Sequence, residues 1–251
     1  MNYISKNSII GENFFHGENL IIEDNVKIGK NVSLGHNVVI KKDTIIGDNC
    51  IISDNVVLGK EPFKASNSAV TEKRELTPLK IDKLVTIGAL TVIYRGAEIS
   101  DEVFVADLAS IREDVKIGIK TIIGKGVTIE NKTSIGNFVK IETEAYITAL
   151  SEIEDYCFIA PEVTFTNDNY LGRTEERKKY FKGPILKKGC RIGANSTLLP
   201  GIIIEEDSLI AAGSVVTKNT NKRKIYLGSP AKIFGDVPEE QLLENQNYYK
   251  K

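Results

Sequence analysis

The sequence predicts an all-β chain wound as a three-sided parallel β-helix, and three observations carry that prediction. Large aliphatics recur every six residues in three runs, Ile10 to Leu58, Ile87 to Phe165 and Leu186 to Val216. Of the 29 positions in these runs 27 are Ile, Leu or Val, whereas a helix repeats near 3.6 residues and a lone strand at about 2. Next, the position two residues earlier is small or β-branched throughout the middle run, from Val85, Thr91 and Ala97 to Cys157 and Val163. Finally, the residue after the large aliphatic is repeatedly Gly, as at Gly29, Gly88, Gly118, Gly124 and Gly136. A sharp corner there needs either a positive φ or room for close approach.

Each hexad then supplies one short strand and one corner, and three hexads close a turn. Coils stack at the strand spacing of about 4.8 Å, and the hexads amount to about ten coils. Cys50, Cys157 and Cys190 all fall on the small inward position, so they read as packing residues. Their odd number and the lack of a CxxC pair argue against a disulfide framework or a zinc cluster.

Two polar, charged segments interrupt the period at 60–83 and 167–184, and the frame resumes after each. They read as loops thrown out from corners, and long loops on a rigid scaffold usually serve function. Residues 1–235 thus form one β-helix domain. Residues 236–251 are expected to form a terminal helix, with Pro238 near its first turn and acids at its start, capping the open stack.

The net charge is -1, from 33 basic and 34 acidic residues. That balance offers no attraction for nucleic acid or an acidic membrane surface. No apolar run approaches the ~20 residues needed to span a bilayer, and the N-terminus lacks the pattern of a secretory signal. The expected setting is cytoplasmic.

Residues 18 apart stack above one another in such a coil. The corner column Tyr94, Arg112, Glu130, Thr148, Thr166 holds neither Gly nor Ala, and the second loop leaves directly after it. Asn167 and Asp168 follow at the same corner. This polar column is the expected acceptor site, with Asp107 and Glu113 nearby, and with Tyr146 and Arg173 placed to flank a nucleotide. A surface Arg–Glu ladder of little energetic value is the alternative reading.

The stretch IGANSTLLPG, followed by AAGSVVTK and GSPAK, resembles the C-terminal part of the hexapeptide-repeat acyltransferases. The segment FIAPEVTFTNDNYLGRT resembles the subgroup that N-acylates nucleotide-linked amino sugars, chiefly dTDP-linked ones. The resemblance implies a left-handed coil, a homotrimer with sites at subunit interfaces, and acyl-CoA as co-substrate without a metal. It implies CoA along the C-terminal coils, at Arg191, Gly193, Ala194, Ala212, Gly213, Thr217, Lys218, Arg223, Lys224, Pro230 and Lys232. Cations suit the CoA phosphates, and the Gly–Ala pairs leave room for a pantetheine arm.

The expected reaction is transfer of a short acyl group to the amine of a nucleotide-linked amino-deoxy sugar. The alternative is O-acetyl transfer to a sugar or other small hydroxyl compound. Attack by a hydroxyl needs a base, and the chain has two histidines, His16 on an inward early position and His36 at an early corner. Two histidines are also too few for a three-His metal enzyme on the same scaffold. An amine with a pKa of about 7.7–8.0 is partly unprotonated at neutral pH and needs less help. Residual proton removal is expected of Asp107, Glu130, Glu142 or Asp168, of water, or of the departing sulfur.

Overall fold

The computed structural model describes residues 2–68 and 74–247. Two-residue strands alternate with four-residue corners along almost the whole chain and stack in parallel into three flat faces. The first face runs from Tyr3–Ile4 to Val215–Val216, the second from Ile9–Ile10 to Ile203–Ile204, and the third from Phe15–His16 to Lys224–Leu227. Each strand pairs with the one three strands later, as Glu98–Ile99 does with Lys116–Ile117, the left-handed β-helix architecture expected. The corners following these faces are called here the first, second and third.

The core is the predicted ladder. Ile22, Ile40, Leu58, Ile93, Ile111, Ile129, Ile147 and Phe165 are fully buried, one above another on the first face. Between them the small positions fill the prism, and Thr or Ser there donates to a carbonyl, as Thr121 Oγ1 does to Gly136 O at 2.9 Å. Such buried hydroxyls need a partner.

The corner glycines serve close approach rather than positive φ. A Cβ on Gly118 would lie 2.5 Å from the carbonyl carbon and oxygen of Gly136 in the next coil. The left-handed residue comes two positions later, and in the early coils it is Asn, which tolerates that region. Asn13, Asn19, Asn25, Asn31, Asn37, Asn49 and Asn55 all have φ between 54° and 60°. Several form a ladder, Asn31 Nδ2 donating to Asn49 Oδ1 at 3.0 Å and Asn37 Nδ2 to Asn55 Oδ1 at 3.1 Å.

Three boundaries differ from expectation. The first loop is shorter: its strand extends to Lys60, and Leu79 and Ile81 already occupy both inward positions. Residues 69–73 of that loop lie outside the described residues. Arg95, buried beneath the loop, holds it by donating to Leu76 O at 3.0 Å and Lys42 O at 2.9 Å while meeting Asp43 at 3.0 Å. The coil also runs past Val216, because Tyr226 takes the inward position above Ile210. These hexads, with the first coil at Tyr3–Ile4, bring the stack to nearly eleven coils.

The expected terminal helix is absent among the described residues. Lys232–Asp236 turns back antiparallel on Lys224–Leu227, and two single 3-10 turns follow at Glu239–Gln241 and Leu243–Asn245. Residues 248–251 lie outside the described residues. Buried Val237 and Leu242 fix this segment as a strap against the second corner, which six residues of 3-10 helix accomplish without an α-helix. His16 is exposed at the open end instead of packed in the core, its Nδ1 2.8 Å from Gly17 O.

Candidate functional site

The polar column forms at the first corner as the spacing predicts. Arg112 lies over the Tyr94 ring, 4.9 Å from its centroid. Its Nε and Nη2 donate to the Glu113 carboxylate at 2.8 and 3.1 Å, and its Nη1 to Glu130 at 3.4 Å. Glu113 is 4% exposed, so both its oxygens serve Arg112 and it offers no edge to a substrate. Its expected role in binding substrate is thereby corrected.

One coil higher, Glu130, Tyr146, Thr148, Ala149, Asn167, Asp168, Arg177 and Phe181 line a cleft of about 210 Å³. Asn167 is oriented there by donating from Nδ2 to Ala149 O at 3.4 Å. Asp168 folds its own loop, accepting from the N–H of Tyr170 at 2.8 Å and of Gly172 at 2.9 Å. Arg177, on the one-turn 3-10 segment Glu176–Lys179, reaches back to Asp168 at 3.1 Å and lies over Phe181.

The electrostatics of the cleft are uneven. Burial pushes the Glu130 carboxyl above the usual carboxylate range, Arg112 pulls the other way, and Glu113 adds to the rise. Burial and then the Glu130 charge push the Tyr146 hydroxyl up. Burial would also raise Asp168, but the N–H groups of Gly172 and Tyr170 and the Arg177 charge hold it below its ordinary value. The cleft therefore holds one carboxyl with a raised affinity for a proton and one with a lowered affinity.

Arg173 is not part of this cleft. It is exposed, its backbone N–H donating to Tyr170 O at 3.0 Å, and Arg177 stands in the position expected of it. Asp107 is also elsewhere. It sits on the third corner, where its Oδ1 accepts from Ala89 N–H at 2.7 Å and caps the coil below. Glu142 is on that same corner.

Above Glu142 the third corner carries Ala160 and Pro161, and in the next two coils the smaller pairs follow. Gly193–Ala194 stack under Ala212–Gly213, with Gly213 N–H donating to Ala194 O at 2.8 Å. The segment containing Pro230 completes the strip, Ala231 N–H donating to Val215 O at 2.8 Å. Gly213 has φ +69° and nothing within 4 Å of an added Cβ, so the strip faces open space. Glu142 lies two coils below Gly193, about 10 Å by the strand spacing. Asp107 is roughly twice as far.

The cations expected to line this strip divide differently. Arg191 Nη1 donates to Gln241 Oε1 at 3.0 Å, Arg223 pairs with Glu244 at 3.1 Å, and Lys224 pairs with Asp236. The acids and amides of the C-terminal strap thus absorb the positive charge along the third face and second corner. Thr217 and Lys218 are exposed on the first corner, and Lys232 is exposed beside Leu227. Both histidines do structural work: His36 Nδ1 accepts from Glu18 N–H at 2.9 Å, far down the stack. Among the described residues no group of three or more His, Cys, Asp or Glu side chains is placed to hold a metal. No helix there is long and apolar enough to cross a membrane.

Comparison with known proteins agrees with the six-residue repeat. The family described as bacterial transferase hexapeptide (six repeats) matches residues 7–42 and 27–60, and the hexapeptide repeat of succinyl-transferase matches residues 188–218. The chain is 46% identical over 57 residues to a dTDP-3-amino-3,6-dideoxy-alpha-D-galactopyranose 3-N-acetyltransferase of Aneurinibacillus thermoaerophilus, covering 23% of this chain and 30% of that protein. It is 29% identical over 102 residues to the galactoside O-acetyltransferase of Escherichia coli, covering 39% of this chain and 48% of that protein. The chain thus spans less than half the length of these curated relatives. An Arabidopsis UDP-N-acetylglucosamine acyltransferase structure shares the fold, with a TM-score of 0.58 and 15% identity over 97% of this chain and 75% of that one.

Proposed function

We propose that this chain, built of transferase hexapeptide repeats and resembling the hexapeptide-repeat acyltransferases, is a CoA-dependent N-acyltransferase. It moves a short acyl group from acyl-CoA to the amine of a nucleotide-linked amino-deoxy sugar. The observation that carries this reading is the first-corner cleft, where Glu130, Tyr146, Asn167 and Asp168 meet under a folded loop. The match to the Aneurinibacillus enzyme supports a dTDP-linked amino sugar.

The bare strip at Gly193–Ala194 and Ala212–Gly213 suits a pantetheine arm, because no side chain larger than a methyl stands at these four positions. Strip and cleft occupy opposite edges of the first face of one chain, roughly 15 Å apart at the strand rise. Within one copy the two halves are separated by the width of that face. In a homotrimer with the third corner of one copy against the first corner of the next, the halves meet. Thr217 and Lys218 then reach the CoA only from the neighbouring copy.

The third face supports such packing. Ile51 and Phe104 are exposed on it, at 53% and 46%. Leu84, Leu90 and Leu108 flank it, about half exposed, with φ of 61° to 64°. A bulky residue in that region costs about 1–2 kcal/mol, and exposed apolar surface adds to the cost unless it is covered. Light scattering on the purified protein checks the assembly: Phe104→Asp with Leu108→Asp is expected to turn a trimer into inactive monomers.

In the joined site the amine attacks the thioester carbon from within ~3.5 Å, and a corner N–H meets the developing oxyanion. O-acetyl transfer is the second reading, favoured by the match to the galactoside O-acetyltransferase. It would require a base at the cleft, which neither His16 nor His36, both in the early coils of the stack, lines. A panel of dTDP- and UDP-linked amino sugars and their hydroxyl counterparts, offered with several acyl-CoAs and read by mass, decides between them. Acylation of hydroxyl but not amino sugars would overturn the proposal.

A further inference from the structure

Glu130 is unusually placed for a carboxylate beside an arginine. Two of the three Arg112 nitrogens that reach carboxylates are committed to Glu113, leaving Glu130 a single 3.4 Å contact. Arg112 is held in that posture from below by Tyr94. From the coil above and the loop, Glu130 faces Tyr146, Thr148, Asp168 and Arg177 across the cleft. Arg177 is itself engaged by Asp168, so it supplies no second counter-ion. Counting Arg112, Arg177, Glu113, Glu130 and Asp168 as ionised, the cleft carries one net negative charge, which suits a cationic amine.

We propose that Glu113 is a positioning residue: by chelating Arg112 it withholds that cation from Glu130 and leaves Glu130 to take the proton of an incoming ammonium. The inference rests on the N-acyltransferase reading of this cleft and adds a division of labour among its carboxylates. The proton passes from the ammonium nitrogen to a Glu130 oxygen. The freed amine then attacks the thioester carbonyl carbon, the C–S bond breaks, and the departing thiolate takes the second nitrogen proton. Glu130 returns its proton to water. The raised affinity of Glu130 for a proton fits this role, since a more basic carboxylate is the better proton acceptor.

The test is Glu113→Gln, which keeps the shape of the buried side chain and an oxygen for Arg112 while removing one negative charge. Arg112 then belongs electrostatically to Glu130, and one like charge is gone. Glu130 is expected to titrate lower by roughly one pH unit. This is read in the substrate-free, intact protein by carbon NMR of labelled glutamate, assigned through Glu130→Gln. The acid limb of kcat/KM should move to lower pH by the same amount, which a merely structural role for Glu113 would not cause. A Glu130 titration that Glu113→Gln leaves in place overturns the inference, as does a limb that stays while the titration moves. If no amino sugar is acylated by the wild-type protein, the functional reading fails instead, and the NMR titration still decides whether Glu113 governs Glu130. Unchanged backbone spectra in Glu113→Gln establish that it folds.

Discussion

Arg177 reaches back across nine residues to Asp168, whose carboxylate simultaneously holds the N–H groups of Tyr170 and Gly172. The loop over the cleft is therefore closed by one carboxylate acting at three places. Arg177→Ala should release the loop and leave the prism intact. A loss of roughly 10- to 100-fold in kcat/KM for the acceptor is expected, with KM for acyl-CoA unchanged, because misplacing a bound group by about 1 Å has that effect. Steady-state kinetics with each substrate varied in turn checks it.

The same tie sets a pH response. The Asp168 carboxyl is held below its ordinary value, so its contribution is complete above the unfolded value of about 4 and is lost as pH falls through the lower folded value. Nicking of residues 169–182 by an acid protease is expected to accelerate only below about pH 4, and to be fast at every acidic pH tested in Asp168→Asn.

Glycine is used in two separable ways, which two substitutions distinguish. Gly118 meets the backbone of Gly136 across the coils, so Gly118→Ala must push two coils apart, at a cost of about 1–3 kcal/mol. Gly172 has φ +84° and nothing within 4 Å, so Gly172→Ala meets only the conformational cost of about 1–2 kcal/mol. Because Gly172 is in a loop, that cost should appear in loop nicking, while Gly118→Ala should lower the midpoint of global unfolding in urea.

The contrast shows what the sequence could convey. Period six exposed the inward ladder and the vertical column Tyr94–Arg112–Glu130, since both depend only on spacing. It also carried Asn167 and Asp168 to their corner. The extra hexad at Leu79–Ile81 was hidden because Lys80 and the charged residues around it blur the frame, and Tyr226 because an aromatic stands where aliphatics recur. Arg177 was not legible: the loop offers Arg173, Arg177, Lys178 and Lys179, and only the fold tells which one turns inward. Likewise the cations of the C-terminal coils looked available for phosphate until Gln241, Glu244 and Asp236 came back to meet them.

The cysteines give a prediction that needs no substrate. Burial pushes the Cys50 thiol up to about 11, and burial together with Cys157, whose sulfur is 3.6 Å away, raises Cys190 well above its ordinary value. A thiol reagent acts on the thiolate. All three cysteines are also buried, so at pH 8 the folded protein should react negligibly with a disulfide-exchange dye, and the three thiols should appear together on unfolding.

The strip on the third corner makes the sharpest claim about where acyl-CoA lies. Ala212 is exposed and its neighbour Gly213 has open space around it, so a large side chain at 212 can project outward without disturbing the coil. Ala212→Trp is expected to leave the unfolding midpoint unchanged while weakening acyl-CoA binding at least tenfold, about 1.4 kcal/mol. Glu206→Trp, equally exposed but on the second corner, provides the comparison and should leave affinity within about twofold. Calorimetry with acyl-CoA on both variants reads the difference. Equal loss in both, or loss only in Glu206→Trp, would move the CoA from the bare third corner to the strap-lined groove at Tyr156, Lys188 and Arg223. The joined-site arrangement would go with it, since it depends on the thioester meeting the amine across two copies.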